Sequence, residues 1–426
     1  MTNSDTKNFS QNVSSSYHLE DKYKCNKNAC VNTCNVPKLR FKRYNDEWKK
    51  VRTEEIFENV TIKNKPSLPV LAVTQERGTI LRESCGINIK YENKSLKSYK
   101  LVKPGNFIIS LRSFQGGLEY SGLEGIVSPA YTILNNKQSI SYDFFKYYFK
   151  TYNFIKSLNI AVEGIRDGKQ ISYNSFKDIK ITFPNMEEQE KIASFLTLID
   201  NKIEKQKELV ELLKKYKRGL LSAIFSQKLK FKDDNGNDYP AWEEKRLGDI
   251  CKIVGGGTPD TNNVKYWGDD INWFTPTEII KKYADSSNRK ISRLGLLKSS
   301  AKILPIGTVL LTTRATLGEM SILSIEATTN QGFQSLIPVK DEVSSEFIYY
   351  CQPIIKHFCY KYANGSTFLE ISKQTLAKLK LMIPNKDEQN KISDFLSKFD
   401  NKIQQEECIL SNLKTYKKGL LQQMFI

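Results

Sequence analysis

Toward the end of the chain, apolar residues recur in alternating steps of four and three at Ile392, Leu396, Phe399, Ile403, Leu410, Leu413, Leu420 and Met424. The same steps occur earlier at Ile192, Leu196, Ile199, Ile203, Val210, Leu213, Leu220 and Ile224. Such spacing gathers apolar side chains into one narrow stripe of a helix, the seam of a coiled coil. Gln206 and Lys217 interrupt the first seam where Glu406 and Lys417 interrupt the second, as polar seam residues do when they fix register at a cost in stability. Each helix is predicted to begin after a proline, Pro184 or Pro384. Asn185 or Asn385 stands as N-cap, and Glu188 or Glu388, three residues on, is expected to reach back to it. Glu187 and Asp387 suit the positive end of the helix dipole. About 40 residues at 1.5 Å each predict a rod of ~60 Å, unless Gly219 and Gly419 bend or end it. Two matched seams in one chain are expected to pack on each other, antiparallel. A pseudo-two-fold axis would then relate the halves and put a globule at each end of the rod.

The likeness extends beyond the seam. Phe183–Ser226 and Ile383–Ile426 are identical at 20 of 44 positions. The preceding stretches "FKDIKITFP" and "LAKLKLMIP" each predict a short strand ending at the proline, and Leu39, Phe41 and Trp48 match Leu229, Phe231 and Trp242. Between these landmarks the halves diverge. Strand-like runs at Phe107–Leu111 and Val309–Thr313 still align, and each half carries an aromatic-rich helical stretch, from Tyr142 and from Ser345. Those aromatics are expected to pack a core rather than stack on bases, and Trp267 and Trp273 likewise. The fold class is α+β or α/β, with two globules and an antiparallel pair of long helices in an internal repeat. The expected boundaries are a flexible extension over 1–35, a first globule over 36–184, a central helix over 185–228, a second globule over 229–384 and a C-terminal helix over 385–426.

Composition narrows the function. Lys+Arg 65 against Asp+Glu 47 gives a net charge of +18 and a pI near 9.3, which favours a polyanionic partner, nucleic acid first. Hydrophobic residues at 39% and aromatics at 11% are enough for globular cores and exclude wholesale disorder. No apolar run reaches the ~18 residues of a membrane span and no secretory signal opens the chain, so a cytoplasmic protein without membrane contact is expected. Its eight cysteines then read as reduced thiols. Cys25, Cys30 and Cys34 lie near His18 but form no CxxC pair, so no zinc site is assigned and no metal is expected.

Signatures of catalysis are missing. "VGGGTPD" at Val254 lacks the Gly-Lys-Ser/Thr that a phosphate loop requires, and the two histidines, His18 and His357, stand in no HExxH or triad-like setting. No catalytic residue is assigned.

The "P-x-x-E-E-Q-x-K-I-A-x-F-L-x-x-x-D" opening at Pro184, its twin at Pro384, "GGTPD…YWGDDINW" from Gly256 to Trp273 and "TTRATLG" from Thr312 resemble the specificity subunit of type I restriction-modification systems. The resemblance covers nearly everything from Val36 to Ile426. It implies two target-recognition domains, each reading one half of a bipartite sequence in double-stranded DNA, with the helices as spacer. It further implies a non-catalytic chain that binds no cofactor and docks two methyltransferase subunits. S-adenosylmethionine would belong to those subunits, and ATP and Mg²⁺ to motor-nuclease subunits of the full complex. Because the two variable globules barely align, the expected target is asymmetric.

Loops past the strand-like runs are expected to enter the major groove, where side chains can distinguish all four base pairs, while lysines and arginines hold phosphates. The candidates are Arg112, Ser113, Gln115, Arg166 and Lys169 in the first domain. In the second they are Thr275, Thr277, Thr313, Arg314, Thr316, Ser366 and Thr367. A rival reading from another class is a stand-alone DNA-binding scaffold protein that dimerises through its coiled-coil helices.

Overall fold

The computed structural model describes residues 35–75, 77–85, 93–162, 171–314, 316–364 and 370–426. Residues 1–34 of the expected extension, with His18, Cys25, Cys30 and Cys34, lie outside the described residues, as do Arg166, Lys169, Ser366 and Thr367. The chain divides into two compact units, Met1–Asp200 with Thr415–Ile426, and Asn201–Lys414. Each unit therefore holds a globule, the start of the long helix that follows it and the end of the other long helix.

In the first unit a four-stranded antiparallel sheet runs in the order Phe57–Val60, Thr132–Asn136, Phe107–Ile109, Glu119–Tyr120. The aromatic helix Tyr142–Tyr148 starts where the Ser141 hydroxyl accepts from the Phe144 N–H, and it buries Phe144, Phe145 and Tyr148. Phe57 meets the rings of Phe107 and Phe145 edge-on, at centroid distances of 5.8 and 5.5 Å. These rings are the core, as their spacing predicts.

The second unit contains a five-stranded sheet in the order Cys251–Gly255, Gln334–Pro338, Val309–Leu311, Met320–Leu323, Tyr283–Ala284. The strands of a three-stranded sheet, in the order Arg289–Ile291, Trp267–Phe274, Ala327–Thr329, are interspersed with them along the chain. Its aromatic helix Ser345–Tyr350 is capped by Ser344 and buries Phe347, Ile348 and Tyr350. Strands at Phe107 and Val309 occupy the same place in their sheets, because Phe107 pairs with Leu134 as Val309 pairs with Leu336.

Both globules close with a two-stranded antiparallel ladder, Lys49–Arg52 on Lys180–Phe183 and Glu243–Arg246 on Lys380–Ile383. The long helices follow at once: Met186–Phe225 with 40 residues and Lys386–Gln423 with 38. Neither breaks at Gly219 or Gly419. Asn185 and Asn385 cap them, their Oδ1 atoms accepting from Glu188 and Glu388 N–H at 3.0 and 2.9 Å. The carboxylates, however, do not reach back to the cap. Glu188 takes Arg40 in a bidentate pair at 2.7 and 2.8 Å, and Glu388 accepts from the Trp242 indole at 3.0 Å. Both acids are buried, and a buried carboxylate is tolerated only when its oxygens find strong donors. Gln189 and Gln389 complete the joint: each donates to the proline carbonyl at 2.9 Å and accepts from the N-cap serine of the aromatic helix, Ser141 N–H at 3.1 Å or Ser344 N–H at 2.9 Å.

Every seam position is buried or half-buried, but the seam does two jobs. Ile392 and Leu396 belong to the core of the second globule together with Leu247, Ile250 and Phe347, and Ile224 from the end of the central helix joins them. Ile192 and Leu196, their counterparts, are equally buried in the first unit. Phe225 packs on Trp242 and Phe347 at 6.2 and 5.8 Å, just as Phe425 packs on Trp48 and Phe144 at 6.5 and 5.2 Å. Mid-seam, Ile199 and Ile403 are buried, and Ile203, Leu213, Phe399 and Leu413 are half-buried. Within the second unit the helices run antiparallel, since Tyr216 meets Phe399 at 5.7 Å while Gln206 bonds Glu406 at 2.6 Å. Among the described residues no helix is long and apolar enough to cross a membrane.

Candidate nucleic-acid interface

Three residues past each equivalent strand stands an arginine, Arg112 after Ile109 and Arg314 after Leu311. The loop that carries it turns back through a left-handed glycine, Gly117 (φ 76°) or Gly318 (φ 83°). A Cβ at Gly117 would sit 1.8 Å from the Phe149 carbonyl oxygen, and one at Gly318 would sit 2.6 Å from the Lys356 side chain. Each loop is thus pressed onto its own aromatic-helix region. An ion pair holds it there: Lys150 with Glu119 in the first unit, Lys356 with Glu319 in the second. Burial pushes the Glu119 carboxyl up and the Lys150 amine down, so that pair is a packed anchor rather than a free phosphate contact.

Around Arg112, the Gln75 amide donates to the Arg112 carbonyl at 3.4 Å, and Lys150 donates to the Gln75 carbonyl at 3.2 Å. The turn of the hairpin Leu71–Thr74 and Gly78–Leu81 therefore sits beside the loop, adding Gln75 and Arg77 to a surface that already carries Arg112 and Gln115. Arg112 and Gln115 are exposed. Ser113 is not. It is fully buried, and its hydroxyl accepts from the Ser110 N–H at 2.9 Å, so it shapes the loop and offers no surface to a base.

In the second unit, four loops converge at one end of the sheet. Thr316 donates to the Pro276 carbonyl at 3.3 Å, Thr313 N–H donates to the Gly332 carbonyl at 2.8 Å, and Gly257 N–H to the Thr329 carbonyl at 2.8 Å. Here "GGTP" finds its physical reason. A Cβ at Gly256 would fall 2.0 Å from the Asn330 carbonyl oxygen, so only glycine lets that strand end lie against the 329–333 turn. Thr258 donates to the Gln331 side chain across the same junction. Thr277 and Thr316 are exposed; Thr275 is half-buried, its hydroxyl spent on Glu278 at 2.6 Å. Arg314 is half-exposed and paired with Glu370 at 2.8 Å. Thr313 is fully buried, which removes it, like Ser113, from direct readout. Trp273 is buried with its indole N–H on the Gly257 carbonyl at 2.9 Å, and Trp267 packs edge-on against it with Arg289 stacked 3.6 Å from the ring centroid.

The structure thus brings Arg112 and Gln115 together with Gln75 and Arg77, and Thr275, Thr277, Arg314 and Thr316 together with Thr258 and Gln331. Sequence reading missed Gln75, Arg77, Thr258 and Gln331. Their signal was turn chemistry, "TQERG" between two strand runs and "TNQGF" before another, rather than proximity to the arginine loops. Among the described residues, no group of three or more His, Cys, Asp and Glu side chains could hold a metal ion.

Two repeats of a mixed α/β globule, each closed by a long helix and each presenting polar loops at an equivalent strand end, define a duplicated recognition module. The sequence profile of the type I restriction modification DNA specificity domain matches residues 45–214 and 240–415, and the chain belongs to that family. It is 36% identical over 194 residues to the type I restriction enzyme MjaIX specificity subunit of Methanocaldococcus jannaschii, an alignment that takes in 44% of this chain and 45% of the relative; the chain spans a little under half the length of that curated relative. A solved chain from a study of complex assembly and conformational transition of the type I R-M system superposes with a TM-score of 0.59 at 18% identity, covering 89% of this chain and 97% of that one. The type I restriction-modification S subunit from M. genitalium superposes with a TM-score of 0.51 at 16% identity, covering 92% and 99%. Both superpositions bear on the fold.

Proposed function

We propose that this chain is the non-catalytic DNA-reading subunit of a type I restriction-modification complex, with each globule reading one half of an asymmetric bipartite target. The observation that carries this reading is the pair of equivalent loops, Arg112 in one unit and Arg314 in the other, each three residues past an equivalent strand and anchored by a Lys–Glu pair, in otherwise divergent globules. Exposed Arg112, Gln115, Thr277 and Thr316, with half-exposed Arg314, are the side chains that would meet base edges or phosphates; Arg and Gln can bond a purine edge through two atoms. A net charge of +18 supports a phosphate-dominated affinity.

The duplicated helix openings support docking of two copies of one partner, a methyltransferase subunit that would bring S-adenosylmethionine. Motor-nuclease subunits would bring ATP and Mg²⁺, and the work would be done in the cytoplasm. The test is to map methylated adenines in a host that expresses this chain with its methyltransferase partner. Two unlike half-sites separated by a fixed gap are expected; a perfect palindrome would overturn the reading.

A further inference from the structure

Asp200 and Asp400 hold the same place in the two long helices, and each gathers groups from different elements of its own unit. In the second unit Tyr350, from the aromatic helix, donates its hydroxyl to one Asp400 oxygen at 2.6 Å, while Lys217 of the central helix pairs with the other. In the first unit Tyr147 donates to Asp200 at 2.8 Å and Lys417 of the C-terminal helix pairs with it at 2.6 Å. Each lysine also lies over the ring of its tyrosine, 5.3 Å from the Tyr350 centroid and 5.2 Å from that of Tyr147. Ser397 and Thr197, one turn earlier, stand 3.0 and 3.3 Å from the tyrosine oxygens. Burial, with the bond to the carboxylate, pushes both tyrosine hydroxyls up, so they remain donors throughout the physiological range.

The recurrence is informative because it is kept, with the closing ladders and helix caps, in two globules whose sequences otherwise diverge. Apolar residues could join three elements at least as stably, since the two ion pairs are only half-buried, with Asp400 24% and Asp200 37% exposed, and such pairs add little net stability. A carboxylate that must satisfy a hydroxyl from the globule and an ammonium from the opposite helix accepts few rotations of one against the other. Directional bonds fix an angle where apolar packing would leave it loose.

We propose that Asp200 and Asp400 are positioning residues which, with Tyr147 and Lys417 or Tyr350 and Lys217, fix the angle between each globule and the helix pair and so set how many base pairs are tolerated between the half-sites. This rests on the bipartite reading above. The test uses the full chain assembled with its methyltransferase partner, on the mapped target and on the same target with the gap lengthened or shortened by one base pair. Wild type is expected to methylate the native gap at least about tenfold faster, and Asp400→Asn to lose most of that preference. Tyr350→Phe, which removes one oxygen and keeps the ring, is expected to do the same and guards against a variant that merely misfolds. Discrimination against single-base changes within the half-sites is expected to stay as in wild type. A purely structural role would slow all substrates in parallel and leave the gap preference intact; that result, with a gap-selective wild type, overturns the inference alone. A wild type indifferent to the gap overturns the bipartite reading as well.

Discussion

Gln206 and Glu406 are counterparts in the repeat and also partners in space: the Gln206 amide donates to the Glu406 carboxylate at 2.6 Å and to its carbonyl at 3.1 Å. When a repeated helix pairs antiparallel with its own copy, only the position at the centre of the pairing meets its own counterpart. Two glutamates there would repel, whereas amide and carboxylate satisfy each other. Glu406 is buried, so Gln206→Leu strands a carboxylate that retains only Lys402, and a loss of about 1.5–3 kcal/mol in chemical denaturation is expected. Adding Glu406→Leu is expected to recover most of that loss, because two leucines pack in a seam that no longer holds a charge. A double variant as unstable as the sum of the singles would contradict this account.

The same pair makes stability depend on acid. Bonds from Lys402 first, and from Gln206 second, hold the Glu406 carboxyl below its ordinary range. A folded-state value below the unfolded one, about 4.3 for glutamate, gives stability that is complete above the unfolded value and is lost as pH falls through the folded value. Glu406→Gln should therefore melt below wild type at pH 7, and the gap between the two melting curves should close as the pH drops past 4. A difference in melting temperature that is constant from pH 7 to pH 3 would rule out a contribution from the charge.

Gly219 and Gly419 lie inside unbroken helices, and a Cβ at either would meet nothing within 4 Å. Glycine in a helix interior costs about 0.8–1 kcal/mol relative to alanine. Gly219→Ala and Gly419→Ala should each raise stability by roughly that amount, and the pair by about the sum, since the sites share no partner. Under the proposed function, if stability rises while assembly with a methyltransferase subunit weakens, the open strip beside each glycine is a docking surface.

How much of this was visible in the sequence depends on the range of the interaction. The helices were legible because a heptad stripe and an Asn cap are local patterns, and the repeat supplied each observation twice. The fate of Glu188 was not legible: its position three residues after Asn185 predicts a capping box, but Arg40 and Trp242 are donors that lie more than a hundred residues from the acids they bind. Tertiary bonds to a buried acid outcompete a cap that water could replace. Ser113 and Thr313 looked like recognition residues for the same reason. They are polar and follow a strand, yet both are fully buried, while their neighbours Arg112 and Arg314 are exposed and half-exposed.

Register gives a further test. Deleting seven residues from within 204–215 removes one heptad, so the stripe keeps its phase while the helix shortens by about 10 Å. Under the proposed function, methylation mapping is expected to return a changed gap with both half-site words intact. Changed words would mean that the helices take part in reading bases.

The two arginines allow the assignment of base against phosphate contacts to be decided. If Arg112 bonds a guanine edge, Arg112→Ala in the assembled complex should cost about 1–3 kcal/mol of binding and relax the sequence requirement at one position only. If it holds a phosphate, binding should weaken evenly across sequences and the salt dependence should fall by about one ion. Arg314 begins from a different state, because Glu370 already pairs with it at 2.8 Å. Breaking a half-exposed pair costs at most about 1 kcal/mol, so under the proposed function DNA would take the guanidinium from the carboxylate. Glu370→Gln should then tighten binding to unrelated DNA more than to the target, since it frees a cation without creating a new base contact. Tighter binding to the target alone would mean that Glu370 competes with a specific base, and no change on either DNA would place Arg314 outside the interface.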